Sequence, residues 1–215
     1  MHIEPGFIAQ AKIVLANVAA SGMLLTYAKS LITRPADIVR SVIAALFFTV
    51  FMQSFSMSVG PSELHFVGAM AIYLTLGFIP TLMGFAIGLL LQGLIFNPSD
   101  LMHLAVNSLS LIMPLLAVHY GLARKLREGN ELSFKSILKL DAVYYSGLAA
   151  MVGFWLMIGD VATPFAAWAT WASTYLVIVA VEPVFTYATV RLLKNHQHKN
   201  WVNTCFAVAE LKLAK

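Results

Sequence analysis

The chain is a succession of long apolar runs joined by short polar connectors. A helix that crosses the hydrocarbon core of a bilayer needs about 20 predominantly apolar residues. Runs of that kind extend over Ile8 to Ile32, Ile38 to Met57, Leu101 to Leu122, Ile137 to Ile158 and Phe165 to Leu193. The stretch from Leu64 to Phe96 is also apolar, but it is too long for one span at about 1.5 Å per residue. Gly77 and Pro80 interrupt it, which predicts two short helices. The pattern therefore predicts an all-α polytopic membrane protein with about seven transmembrane helices in a single domain, residues 1–215. It shows no tandem repeat and no low-complexity segment.

Composition agrees with that reading. Apolar residues make up 60% of the chain and charged residues 11%, against roughly a quarter charged in soluble domains. The lone Cys205 excludes a disulfide framework, and no paired-cysteine zinc spacing occurs. A net charge of +4 raises the possibility of nucleic acid, but the basic residues sit in short clusters between apolar runs, as orientation signals do. Lys29, Arg34 and Arg40 flank the first connector. Arg124, Lys125, Arg127, Lys135 and Lys139 follow the fifth span, and Arg191, Lys194 and Lys199 follow the last. With seven spans and an extracytoplasmic N-terminus, every cluster and the C-terminus are cytoplasmic. Reading Leu64 to Phe96 as one span would turn the Arg124 to Lys139 cluster outward, so charge supports two helices there. The N-terminus lacks the basic region of a cleaved signal, since Glu4 precedes Lys12, and it is expected to be retained.

Candidate chemistry gathers on the expected outer side. The α-amine of Met1 and the imidazole of His2 can chelate one metal ion, and the peptide nitrogen between them becomes a third donor once deprotonated. His65, at the outer start of the third span, is the candidate for a fourth nitrogen. A planar nitrogen set suits nickel(II) or copper(II) and accommodates cobalt(II), whereas zinc prefers a tetrahedron. The competing reading is that both histidines are simply interfacial polar side chains. Ser62 and Glu63 are candidates to orient His65. Gln92 and Asn107, amides inside apolar runs, are expected to bond between helices. Glu182 is an acid at mid-span, a functional candidate by default, although a structural, hydrogen-bonded role suits it equally. His103 and His119 fall at opposite ends of one span and cannot share a metal. His196 and His198 belong to a polar tail, and Ala16 and Ala20 form a small-residue patch that admits a close helix neighbour. No GxxxxGK[ST] loop occurs, so the chain cannot hold ATP in a P-loop.

Three blocks carry a family resemblance. Met1-His2-Ile3 with Gly6-Phe7, then SELHFVG (Ser62 to Gly68), then LLLQGLIF (Leu89 to Phe96) followed by Asn107, resemble the CbiM/NikM family. Those proteins are the substrate-binding (S) components of energy-coupling-factor (ECF) cobalt and nickel transporters of the ABC type. The resemblance implies metal ligation by Met1, His2 and His65, with Ser62, Glu63, Glu4 and Asn107 as supporting candidates. It implies cobalt(II) or nickel(II) as transported substrate, no catalytic cofactor and no enzymatic activity. The partners implied are a coupling (T) membrane subunit, cytoplasmic ATPase subunits and a possible small accessory membrane subunit, in a prokaryotic inner membrane. In the family the first helix meets the coupling subunit, which carries over to Ala16 and Ala20, although an internal packing role is just as compatible with that patch. Two departures stand out: Glu4 and Pro5 reverse the family's usual acid-before-glycine order, and Pro183 takes the place of a common glycine after Glu182. The alternatives are a b-type haem protein using paired histidines such as His65 and His103, and a stand-alone secondary metal transporter using Glu182.

Overall fold

The computed structural model describes residues 6–59, 62–124, 131–209 and 211–214. Helices α1 (Gln10–Thr33) and α2 (Pro35–Ser54) are followed by a two-stranded antiparallel hairpin, β1 (Ser56–Val59) and β2 (Ser62–His65). Then come a short α3 (Ala69–Leu76), α4 (Phe78–Ile95), and a 3₁₀ turn (Pro98–His103) that feeds α5 (Leu104–Tyr120). Helices α6 (Phe134–Met157), α7 (Phe165–Asn195) and α8 (Asn200–Cys205) complete the order.

Among the described residues, six helical stretches are long and apolar enough to cross a membrane: Gln10–Thr33, Pro35–Ser54, Phe78–Ile95, Pro98–Tyr120, Phe134–Met157 and Phe165–Asn195. The expected pair of helices between Leu64 and Phe96 is present, broken at Gly77, whose φ of +96° ends α3 and begins α4. The two are unequal. Helix α4 has 18 residues and carries Pro80 in its first turn, where a missing N–H costs nothing. Helix α3 has eight, about 12 Å of rise.

The hairpin corrects two expected boundaries. Met57, placed by hydropathy in the second span, lies in β1, and Leu64, placed at the start of the third, lies in β2. The local sequence SMSV alternates polar and apolar positions ahead of a Gly-Pro punctuation, a strand signal that apolar-run reading smooths over.

Helices α2 and α4 run parallel. An added Cβ at Gly84 would meet the Ala44 Cβ at 2.4 Å, and one at Gly88 would meet the Phe48 ring at 2.5 Å and the Ala45 carbonyl at 3.1 Å. Gly84 and Gly88 are one turn apart, so the two backbones approach along a small-residue groove. Thr49 adds a hydroxyl that lies 2.8 Å from the Ala45 carbonyl and 3.2 Å from that of Gly88. Two parallel helices in succession need a return crossing between them, and α3 makes it. At one end His65 Nδ1 lies 3.1 Å from the Met52 carbonyl near the end of α2. At the other the Thr75 carbonyl accepts from Ala207 N at 2.7 Å. All eight residues of α3 are buried, as a helix apolar on every side requires.

The bundle thus has a hairpin end and a tail end. At the tail end Phe78 stacks on His119 at 3.7 Å between centroids, Tyr27 and Tyr120 meet through their hydroxyls at 3.1 Å, and Arg40 donates to the carbonyls of Asn203, Thr204 and Phe206 around the end of α8. Lys29, Arg34, Arg40, Arg124, Lys135, Lys139, Arg191, Lys194 and Lys199 lie in or beside this end. At the hairpin end Lys12 is paired with Asp160 at 2.6 Å.

Because an added Cβ at Gly84 meets α2 itself while one at Gly22 meets nothing within 4 Å, Gly84→Ala is expected to cost about 1–3 kcal/mol through overpacking. Gly22→Ala is expected to be neutral or slightly stabilising. Thermal unfolding of the detergent-solubilised variants measures both, and equal stability of the two would contradict the parallel α2–α4 groove.

Candidate metal-binding site

In the hairpin Ser56 pairs with His65, Met57 with Leu64, Ser58 with Glu63 and Val59 with Ser62. One further bond, from Phe66 N to the Phe55 carbonyl at 3.3 Å, continues the ladder towards the bundle. Ser62, Leu64 and His65 are buried, so β2 is pressed onto the helices while β1 faces outward. The seam is closed by aromatic rings: Phe51, Phe66 and Phe185 contact one another edge to face at 5.5 to 5.7 Å. Gly68 then turns the chain into α3 with φ +64°, and a Cβ there would lie 2.4 Å from the Phe51 ring.

His65 is 2% exposed, and both of its ring nitrogens face oxygen atoms. Nδ1 lies 3.1 Å from the Met52 carbonyl and Nε2 lies 2.9 Å from Glu63 Oε2. A main-chain carbonyl only accepts, so Nδ1 donates its hydrogen to Met52. A main-chain carbonyl holding Nδ1–H is the arrangement that orients a metal-binding imidazole and leaves Nε2 as the nitrogen for the metal. The Glu63 carboxylate beside Nε2 is partly exposed.

Met1, His2 and Glu4 lie outside the described residues. The segment that follows them is at the hairpin end: Asp160 N donates to the Phe7 carbonyl at 2.9 Å and Ile8 is buried. Asn107 is fully buried near the start of α5, in the half of that helix closest to the hairpin end. Gln92 is buried in α4. His103 is buried at the hairpin end, while His119 at the tail end bonds to the Tyr73 hydroxyl at 2.9 Å, so these two are indeed separated by the length of α5. His196 and His198 stack loosely just beyond α7. Ala16 and Ala20 are turned into the bundle, 1% and 4% exposed, and pack α1 internally. The outward face of α1 is instead Val14, Leu15, Val18 and Leu25. No group of three or more His, Cys, Asp or Glu side chains able to hold a metal occurs among the described residues.

One buried acid escaped the sequence reading. Asp141 on α6 is fully buried beside Glu182 of α7. Its signal is the one that singles out Glu182, a carboxylate within an apolar run, and it stands two residues after Lys139, near the start of that run.

Long apolar helices wrapped around a fully buried short helix, with a histidine-bearing hairpin at one end, define a polytopic membrane protein. The chain belongs to the CbiM family, described as the cobalt uptake substrate-specific transmembrane region, which it matches over residues 2–200. It is accordingly a membrane component of transition-metal uptake. Its fold is similar to that of a crystal structure described as a transition metal transporter, with a TM-score of 0.74 and 20% identity over 94% of this chain and 96% of the other. A truncated transition metal transporter is similar at 0.73 and 20%, over 91% and 99% of the two chains. No curated protein matches the sequence.

Gly68→Ala combines a left-handed backbone, costing about 1–2 kcal/mol for a residue with a Cβ, with displacement of the Phe51 ring. It is expected to lower stability by about 2 kcal/mol or more. Unfolding of the detergent-solubilised variant measures the effect, and parent-like stability would show that the left-handed turn against Phe51 is not required.

Proposed function

We propose that the chain is the substrate-binding component of an energy-coupling-factor importer and captures cobalt(II) or nickel(II) with Met1, His2 and His65. The observation that carries this reading is the pinned ring of His65: its Nδ1 is held by the Met52 carbonyl, and its Nε2 is offered at the end of the bundle where residues 6–9 pack. The terminal amine, the first peptide nitrogen and the imidazole of His2 supply three donors, and Nε2 of His65 completes the plane. Glu63 accepts the proton contact that the metal replaces. Membership in a cobalt-uptake family favours this reading over haem binding.

Orientation follows from charge. Apart from Lys12, which is paired with Asp160, the basic side chains of the described residues collect at the tail end, and by the positive-inside rule this supports a cytoplasmic tail and an extracytoplasmic hairpin. Capture is then extracytoplasmic, in a prokaryotic inner membrane. With no P-loop in the sequence, energy comes from cytoplasmic ATPases through a coupling membrane subunit, with a small accessory subunit completing the assembly. Of the six long stretches α1 is the least covered, 17% of its apolar window being buried. Its outward residues Val14, Leu15, Val18 and Leu25 are the surface proposed for the coupling subunit, in place of the inward Ala16 and Ala20.

The ligand chemistry makes binding depend on pH. Reference values are about 7.7–8.0 for the α-amine and about 6.5 for imidazole, and every nitrogen must shed its proton to bind. Affinity for nickel or cobalt is therefore expected to fall steadily from pH 8 to pH 5.5, before any ordinary carboxylate titrates. Calorimetric titration across that range measures it, and a flat profile is incompatible with an all-nitrogen site.

His65→Ala leaves a three-nitrogen chelate with an open position, so most affinity is expected to be lost while the protein still folds. His119→Ala, at the opposite end, is expected to bind as the parent does. Parent-like binding by His65→Ala would remove His65 from the ligand set.

A further inference from the structure

Two carboxyl groups, those of Asp141 and Glu182, are fully buried in the bundle. Glu182 Oε1 accepts the Met70 backbone N–H at 2.9 Å, Oε2 accepts the Tyr145 hydroxyl, and the backbone of Gly68 also faces it. Glu182 thus caps the positive end of α3 and has the donors an ionised carboxylate needs. Asp141 differs. Its carboxyl is turned to Glu182, it is fully buried, and neither of its oxygens has a donor among the described residues. The hydroxyl of Tyr144, also fully buried, faces Asp141, Glu182 and Tyr175 and likewise has no partner among the described residues. No described ion pair reaches either acid.

Two bare carboxylates in contact and out of water are prohibitive, since they repel and neither keeps its hydration. A cation has to sit between them. We propose that Asp141 and Glu182 form an intramembrane binding site for one proton, carried on Asp141 and donated to Glu182. The proton turns an acceptor–acceptor contact into a hydrogen bond and removes one of the two charges, and the Tyr144 hydroxyl is free to donate to the remaining oxygen of Asp141. A hard divalent cation fits less well. It would need about six oxygen ligands or more, and both Glu182 oxygens are already committed to α3 and Tyr145. Through this proton α6, α7 and the start of α3 are tied together three residues beyond Val67, on the segment that carries His65 into the bundle. Its loss would drive the two acids apart and loosen α3.

Infrared spectroscopy of the purified full chain in detergent at neutral pH, in H2O and D2O, tests the site without any added transition metal, independently of the uptake reading. The parent is expected to show a protonated-carboxyl carbonyl band that shifts in D2O. Asp141→Asn, whose amide can donate to Glu182 in its place, is expected to fold and to lose that band. Glu182→Gln is expected to keep it at a shifted position, because Asp141 then donates to an amide oxygen. Absence of the band from the parent overturns the proposal even if neither variant folds. So does its persistence in Asp141→Asn, or a rise in unfolding temperature with MgCl2 or MnCl2 that the parent shows and Asp141→Asn lacks, which would assign the site to a divalent ion.

Discussion

Close approach of α2 and α4 along Gly84 and Gly88 is the constraint from which the rest of this architecture follows. Without side chains at those positions the two helices pack backbone to backbone, in parallel, with Thr49 close to the Gly88 carbonyl. Parallel neighbours in sequence cannot be joined by a tight turn. The connection has to travel back along the bundle, and the chain uses a hairpin at one end and α3 as the return. Because α3 is enclosed on every side, it can be short and largely apolar, and its terminal backbone groups must find partners inside the protein. Glu182 satisfies the N-terminus, and Ala207 of the C-terminal segment satisfies Thr75.

The same return path builds the histidine site. The hairpin lies against the bundle because β2 has to deliver the chain to the start of α3, and that brings His65 under the last turns of α2. There the Met52 carbonyl takes one ring nitrogen and Glu63 stands at the other. The ring of His65 is ordered by folding, through a ladder, an aromatic seam and a left-handed glycine.

Charge is distributed along the bundle as unevenly as packing is. The hairpin end carries a single described lysine, Lys12, and it is paired with Asp160. The tail end carries the basic side chains. There Arg40 also has a structural task, since its guanidinium collects the carbonyls at the end of α8 and holds the C-terminal segment against α2.

Hydrophobic run length and basic clusters were enough to read membrane class, the long helices, and the division at Gly77, because the cost of exposing polar backbone to lipid acts on each span separately and leaves its mark in local composition. The MHI and SELHFVG blocks pointed to the CbiM/NikM family, and the family match to CbiM agrees. What the sequence could not reveal depends on neighbours. The hairpin was hidden because its apolar residues merged into the flanking runs, and a strand is identified by a partner strand. Ala16 and Ala20 have the composition of a contact face, but only the packing of α1 on the bundle decided that they turn inward. Asp141 reads as one more charge near a basic connector until α6 is laid against α7 and sets it beside Glu182. Residues 41 positions apart in sequence share no local pattern, so that pairing is a property of the tertiary structure alone.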